Sequence, residues 1–177
     1  MTTHNRPQFS SLTNNPMGIV GVFQERPNKY MMLLSFAQEI LREESHLPSV
    51  DRETIAAFVS NLNGCQYCCG SHTAFTASLG ATEEDLAIIK GDFTGHRLEA
   101  ILNYVKKLTL APSSISDEDR LAVLDAGFTE EELKDAIAVC AAFNLFNRVV
   151  EGHGVAPHDN YDADVAMINE HGYDRRY

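Results

Sequence analysis

Three of the four cysteines of the chain and a histidine fall within the eight residues from Cys65 to His72, in the run Gly64-Cys-Gln-Tyr-Cys-Cys-Gly-Ser-His72. Thiols and an imidazole this close together can do redox chemistry or hold a metal. If the run is helical, at about 100° per residue, Cys68 and His72 lie roughly 60° and 20° to one side of Cys65 and Cys69 about 40° to the other. All four then share one face. Cα atoms three apart on a helix are about 5 Å from each other, inside the window for a disulfide, so Cys65 and Cys68 can cycle between dithiol and disulfide. His72 follows Cys68 by one helical turn, and its imidazole can reach the Cys68 sulfur directly or through one water and take its proton. The thiolate so formed is the reactive species.

Other readings of the same residues stand beside this one. Cys65 and Cys68 could be small packing residues of a buried helix face. Cys65, Cys68 or Cys69, and His72 could be zinc ligands, although a structural site needs a fourth. The spacing lets Cys69 compete for either redox role or stand by as a core thiol. Cys140 sits in an apolar run and reads as core. Tyr67 either lines a substrate channel or packs on the next helix, and His153 and His158 in the polar tail read as surface residues.

The elements that must position these groups are helical, since helical periodicity runs through the chain and no segment shows sustained alternation with hairpin turns. An all-α fold follows. Pro27 to Glu44 reads as an early helix stopped by Pro48, and Val50 to Leu62 as a second, with Ile55, Phe58, Val59 and Leu62 on one stripe. Asn63-Gly64 supplies the break at its end. The next helix starts near Cys65, which puts the cysteines in its first turns, where free N–H groups and the macrodipole favour an anion and lower a thiol pKa.

Leu79 to Leu86 and Ala126 to Leu133 resemble each other as turn, cap and helix. Thr129 with Glu132 forms a full capping-box pattern and Thr82 with Asp85 a weaker one, a likeness that suggests an internal pseudo-repeat. Leu98 to Leu110 is amphipathic, Ala111 to Ser116 is a loop, and Ser116 caps a further helix. Thr129 to about Glu151 is the longest and most apolar helix, read as buried nearly all round. From Gly152 onward the chain is polar, and a short helix there either docks or frays.

At 177 residues one domain is expected, with a core of about 28–155 between an N-terminal arm and a C-terminal tail. The net charge of -11, with Lys and Arg scattered, argues against nucleic acid or an anionic membrane as partner. The start, Met1 to Gln8, is polar and the apolar runs are too short to span a bilayer, so a cytoplasmic protein is expected. In that compartment a Cys-x-x-Cys is more often catalytic, redox-sensing or metal-binding than structural.

Glu53, Cys65 twelve residues later, Tyr67, Cys68 and His72 together resemble the Glu, Cys-x-x-Cys, His signature of the alkylhydroperoxidase-like, peroxidase-related branch of the carboxymuconolactone decarboxylase superfamily. The resemblance covers about Tyr30 to Val155, and Phe143-Asn-x-x-Asn147-Arg148 is similar to a segment of the peroxidase-related members. It implies an all-helical subunit in trimers or hexamers, acting as a thiol peroxidase or disulfide reductase on hydroperoxides. It also implies a dithiol or protein reductant and no metal or organic cofactor. Carried over by position, Cys68 is the peroxidatic thiol, Cys65 the resolving thiol, and His72 with Glu53 the proton relay. Glu53 lies on the preceding helix, so only tertiary packing can bring it there. Asn147 and Arg148 are expected to orient a helix end or an intersubunit carboxylate. A non-enzymatic redox-sensing or zinc-binding oligomer is the competing reading.

Overall fold

The structure is a computed structural model, and it describes residues 6, 7, 9, 12 and 17–174. Apart from Arg6 and Pro7, the polar start of the chain lies outside the described residues. Among the described residues there are ten α-helices and one 3-10 turn and no strand. In order they are α1 (Gly18–Glu25), α2 (Pro27–Tyr30), α3 (Met32–Leu41), α4 (Ser49–Leu62), α5 (Gln66–Ser78), α6 (Glu83–Ala87), α7 (Glu99–Leu110), α8 (Asp117–Asp125), α9 (Glu130–Gly152) and α10 (Asp162–His171), with the 3-10 turn at Pro112–Ser114. The expected all-α architecture is observed.

Helix α4 is the centre of the bundle, packed on α5, α9, α7 and α3. Every residue from Asp51 to Ser60 is buried, polar ones included. Most of their polar groups are paired, as burial requires, Arg52 Nε being the exception. Arg52 donates to the carbonyls of Ile40 and Glu43, Thr54 to Val50 O, Ser60 to Ala56 O, and Asp51 accepts from Arg97. Arg97 also reaches Asp85, which His96 contacts, so the α6–α7 connection is tied to the start of α4. The apolar stripe seen in the sequence is therefore only part of what α4 buries.

Helix α9 reverses the expectation for its own segment. Leu133, Ala136, Val139, Cys140, Phe143 and Phe146 face inward, but Lys134, Ala141, Leu145 and Arg148 form an exposed stripe, so α9 is not buried all round. Its alanines allow close packing on one side without requiring it on the other.

The early helix is divided at Met31 and ends at Leu41, not Glu44; Pro27 opens its first turn, where a missing N–H costs nothing. Helix α1 before it had no counterpart in the sequence reading, yet its Val22 and Phe23 are core residues. Both threonine caps make complete boxes, Thr82 with Asp85 and Thr129 with Glu132. The likeness of the two segments ends at the caps, for α6 has five residues and α9 twenty-three. After α9 the chain does not fray: α10 packs on α5, and Ile168 and Tyr173 join the same core cluster as Val22.

Candidate active site

The Asn63-Gly64 break makes the site. Gly64 adopts φ 71°, a left-handed conformation that favours glycine, and the chain reverses so that α5 runs back along α4. Cys65 then caps α5 in an extended conformation, its N–H donating to Ser60 O at 3.0 Å and its carbonyl accepting from Cys69 N–H at 2.9 Å. Cys68 lies in the first turn of α5, where the helix dipole favours a thiolate.

Both thiols are reduced and buried, Cys65 0% and Cys68 3% exposed. Burial pushes the Cys68 thiol well above its ordinary range and the Cys65 neighbour adds to the rise, while a hydrogen bond with the Asn147 side chain works the other way. Asn147 is itself fixed: its amide donates to Ser60 Oγ at 2.9 Å and its oxygen accepts from Asn63 Nδ2 at 2.9 Å.

One turn further along α5, His72 Nδ1 meets Glu53 Oε2 at 2.6 Å. A carboxylate accepts, so Nδ1 carries the proton and Nε2 is left as the basic nitrogen. Glu53 is fully buried and its Oε1 is held by Arg42 and by the Tyr173 hydroxyl, at 2.8 Å for the latter. The imidazole is caged by the edges of Phe143 and Phe75, with ring centroids 4.5 Å and 5.2 Å away.

Cys68 and His72 line a cavity of about 80 Å³ whose other walls are largely apolar, with Phe23 from α1, Leu34 from α3 and Phe146 from α9 among them. Tyr67 lines it too, its hydroxyl accepting from Ile19 N–H at 3.4 Å and its ring edge-on to His158. Tyr67 therefore both lines and packs.

The structure thus brings Glu53, Cys65, Cys68 and His72 together and sets Cys69 apart. Cys69 packs with Ala57 and Ile89 in a separate apolar cluster and does not line the cavity. Burial raises its thiol, with Lys90 opposing. Cys140 is fully buried in the core. His153 and His158 are half-buried rather than surface residues: His153 packs edge-on to Tyr30, and His158 bonds Asp164 at 2.9 Å. Arg148 bonds the carbonyl of Asn144 and takes no part in the site. For zinc the arrangement fits poorly. Cys69 is elsewhere, His72 Nδ1 is engaged, and among the described residues no group of three His, Cys, Asp or Glu side chains could hold a metal ion.

Three contributors escaped the sequence reading. Arg42 looked like part of a charged helix end, Tyr173 like tail, and Asn147 like a helix-end residue. The asparagine was visible in the Phe143 to Arg148 segment, but nothing in its local pattern points at a cysteine on another helix.

Comparison with known proteins shows what this chain is similar to. Residues 27–96, which contain Glu53, Cys65, Cys68 and His72, match the Carboxymuconolactone decarboxylase family. A protein of Bacillus subtilis (strain 168), the uncharacterized protein YdfG, is 25% identical over 122 residues, covering 67% of this chain and 83% of that protein. An uncharacterized peroxidase-related protein from Silicibacter sp. TM1040 superposes with a TM-score of 0.72 at 24% identity, over 80% of this chain and 76% of that one. A second peroxidase-related protein, from Ralstonia eutropha JMP134 and described as an alkylhydroperoxidase AhpD core, gives 0.72 at 23% identity with the same coverage. Residues 27–96 are thus similar to the carboxymuconolactone decarboxylase family, and the fold of the chain is that of the peroxidase-related, alkylhydroperoxidase-core structures. Among the described residues no helix is long and apolar enough to cross a membrane.

Proposed function

We propose that this protein is a thiol peroxidase and disulfide oxidoreductase of antioxidant defence, reducing hydroperoxides through Cys68 and Cys65. The observation that carries the reading is a buried thiol, Cys68, in the wall of an apolar cavity, with the buried Cys65 thiol as its neighbour, beside an imidazole held by a buried carboxylate. Resting Cys68 is a thiol at neutral pH, because burial and Cys65 raise it. Attack therefore needs a base. His72 Nε2 takes the Cys68 proton, directly or through one water, and Glu53 balances the imidazolium. The Asn147 amide donates to the sulfur as charge develops there.

The Cys68 thiolate attacks the terminal peroxide oxygen, forming an S–O bond and breaking O–O; the departing alkoxide takes the proton from His72 and leaves as an alcohol, or as water from hydrogen peroxide. Cys68 is then a sulfenic acid. The Cys65 thiol condenses with it, releasing water and leaving the Cys65–Cys68 disulfide. A dithiol or protein reductant restores both thiols by exchange. The apolar walls favour hydroperoxides with an uncharged organic part.

A cytoplasmic setting, where thiols are kept reduced, suits such a cycle. Assembly into trimers or hexamers belongs to the same reading and is supported by exposed apolar side chains such as Met32, 72% exposed, and Leu110, 59% exposed. The test is turnover of an organic hydroperoxide with a dithiol, for the parent, Cys68→Ser, Cys65→Ser and His72→Ala. Loss of turnover in both cysteine variants supports the reading. Absence of turnover in the parent, with one oxidation that no dithiol reverses, favours a redox sensor without catalysis.

A further inference from the structure

Tyr173 comes from the opposite end of the chain from most of the site, and lies outside the span of residues 27–96 matched to the family. Its placement is elaborate for a tail residue. Helix α10 docks on α5, and Gly172 turns with φ 68° at a position where a Cβ would collide with Gln38 Oε1. The Tyr173 N–H donates to that same oxygen at 2.8 Å. The ring enters the cavity wall nearly parallel to the His72 imidazole, at 14° with centroids 6.2 Å apart, and edge-on to Phe75. The Arg42 guanidinium lies 5.3 Å from its centroid. The hydroxyl donates to Glu53 Oε1.

The division of labour on Glu53 follows. A carboxylate turns freely about its terminal torsion, which is broad. Two donors on Oε1, Arg42 and Tyr173, leave Oε2 to the imidazole and fix the plane in which His72 Nδ1–H must lie. We propose that Tyr173 is a positioning residue of the Glu53–His72 pair, supplied by the C-terminal segment to hold His72 ready for the Cys68 proton. This rests on the peroxidase reading above. Burial, with the Glu53 charge, pushes the phenol well above its ordinary range, so it remains an O–H donor at any working pH.

The test is the pH dependence of Cys68 alkylation by iodoacetamide, read by peptide mapping on the full chain, for the parent, Tyr173→Phe and Glu53→Gln. It needs no peroxide, and Tyr173→Phe keeps the ring while removing one donor. The expected result is a slower reaction at pH 7, by about tenfold for loss of a hydrogen bond to a charged group, with the pH midpoint displaced upward in both variants. A Tyr173→Phe profile that superposes on the parent while Glu53→Gln is displaced overturns the positioning role and leaves the relay standing. Equal slowing at every pH without displacement marks a merely structural tyrosine and overturns it as well. Profiles undisplaced in both variants overturn the relay itself. Should Tyr173→Phe not fold, a chain ended at Gly172 is measured the same way, and an undisplaced profile there counts against the proposal equally.

Discussion

Glu53 and His72, nineteen residues apart and on successive helices, meet at 2.6 Å with the carboxylate fully buried. The contact exists because α4 and α5 are antiparallel neighbours across the Gly64 turn, and because Arg42 from the end of α3 balances the charge that Glu53 brings inside. An ionised carboxylate without such a partner would be costly at this depth.

Replacing that carboxylate should therefore cost stability as well as activity. Glu53→Gln leaves the Arg42 guanidinium without its counter-charge, and a loss of about 3 kcal/mol is expected in urea unfolding. Peroxide turnover should fall by about 100-fold, the usual scale for removing a general acid–base partner.

Asn147→Ala tests the donor at the sulfur. Loss of its side chain removes the one hydrogen bond that lowers the Cys68 thiol, so the thiol rises further and iodoacetamide alkylation of Cys68 at pH 7 should slow by about threefold to tenfold.

Cys69 is the control cysteine. It lies in the Ala57 and Ile89 cluster, away from the cavity, so Cys69→Ala should retain peroxide turnover within about twofold and lose about 1 kcal/mol or less of stability.

Strong acid should loosen the α6–α7 connection. Burial works to raise Asp85, but the Thr82 hydroxyl, the Thr82 amide and the Arg97 guanidinium outweigh it and bring it from 3.8 to about 2. A depressed carboxylate stabilises the fold above its unfolded pKa and loses that contribution as pH falls through the folded value, so about 2 kcal/mol should disappear between about pH 4 and pH 2. Urea midpoints measured over that range should fall less steeply for Asp85→Asn than for the parent.

What was legible in the sequence is local. Cys65, Cys68 and His72 announce themselves because one short helix fixes their relation, and Glu53 joined them only through its spacing within a known family signature. The helices were legible from their period and caps, as at Thr82 and Thr129. What was not legible depends on distant partners. Helix α4 looked half-polar because Arg52, Glu53 and Asp51 are satisfied by residues on other segments, whereas the alanines of α9 suggested a burial that Ala141 and Leu145 do not show. Tyr173 reaches Glu53 across 120 residues, and a tyrosine in a polar tail carries no periodic mark of that contact.

The most direct measurement is a map of the oxidised thiols after a single equivalent of an organic hydroperoxide, with free thiols alkylated and peptides identified by mass spectrometry. A Cys65–Cys68 disulfide, with Cys69 and Cys140 still alkylated and dithiol restoring all four, is the outcome expected of this site. A linkage through Cys69, or four thiols untouched by the peroxide, would refute the assignment of Cys68 and Cys65 as the redox pair.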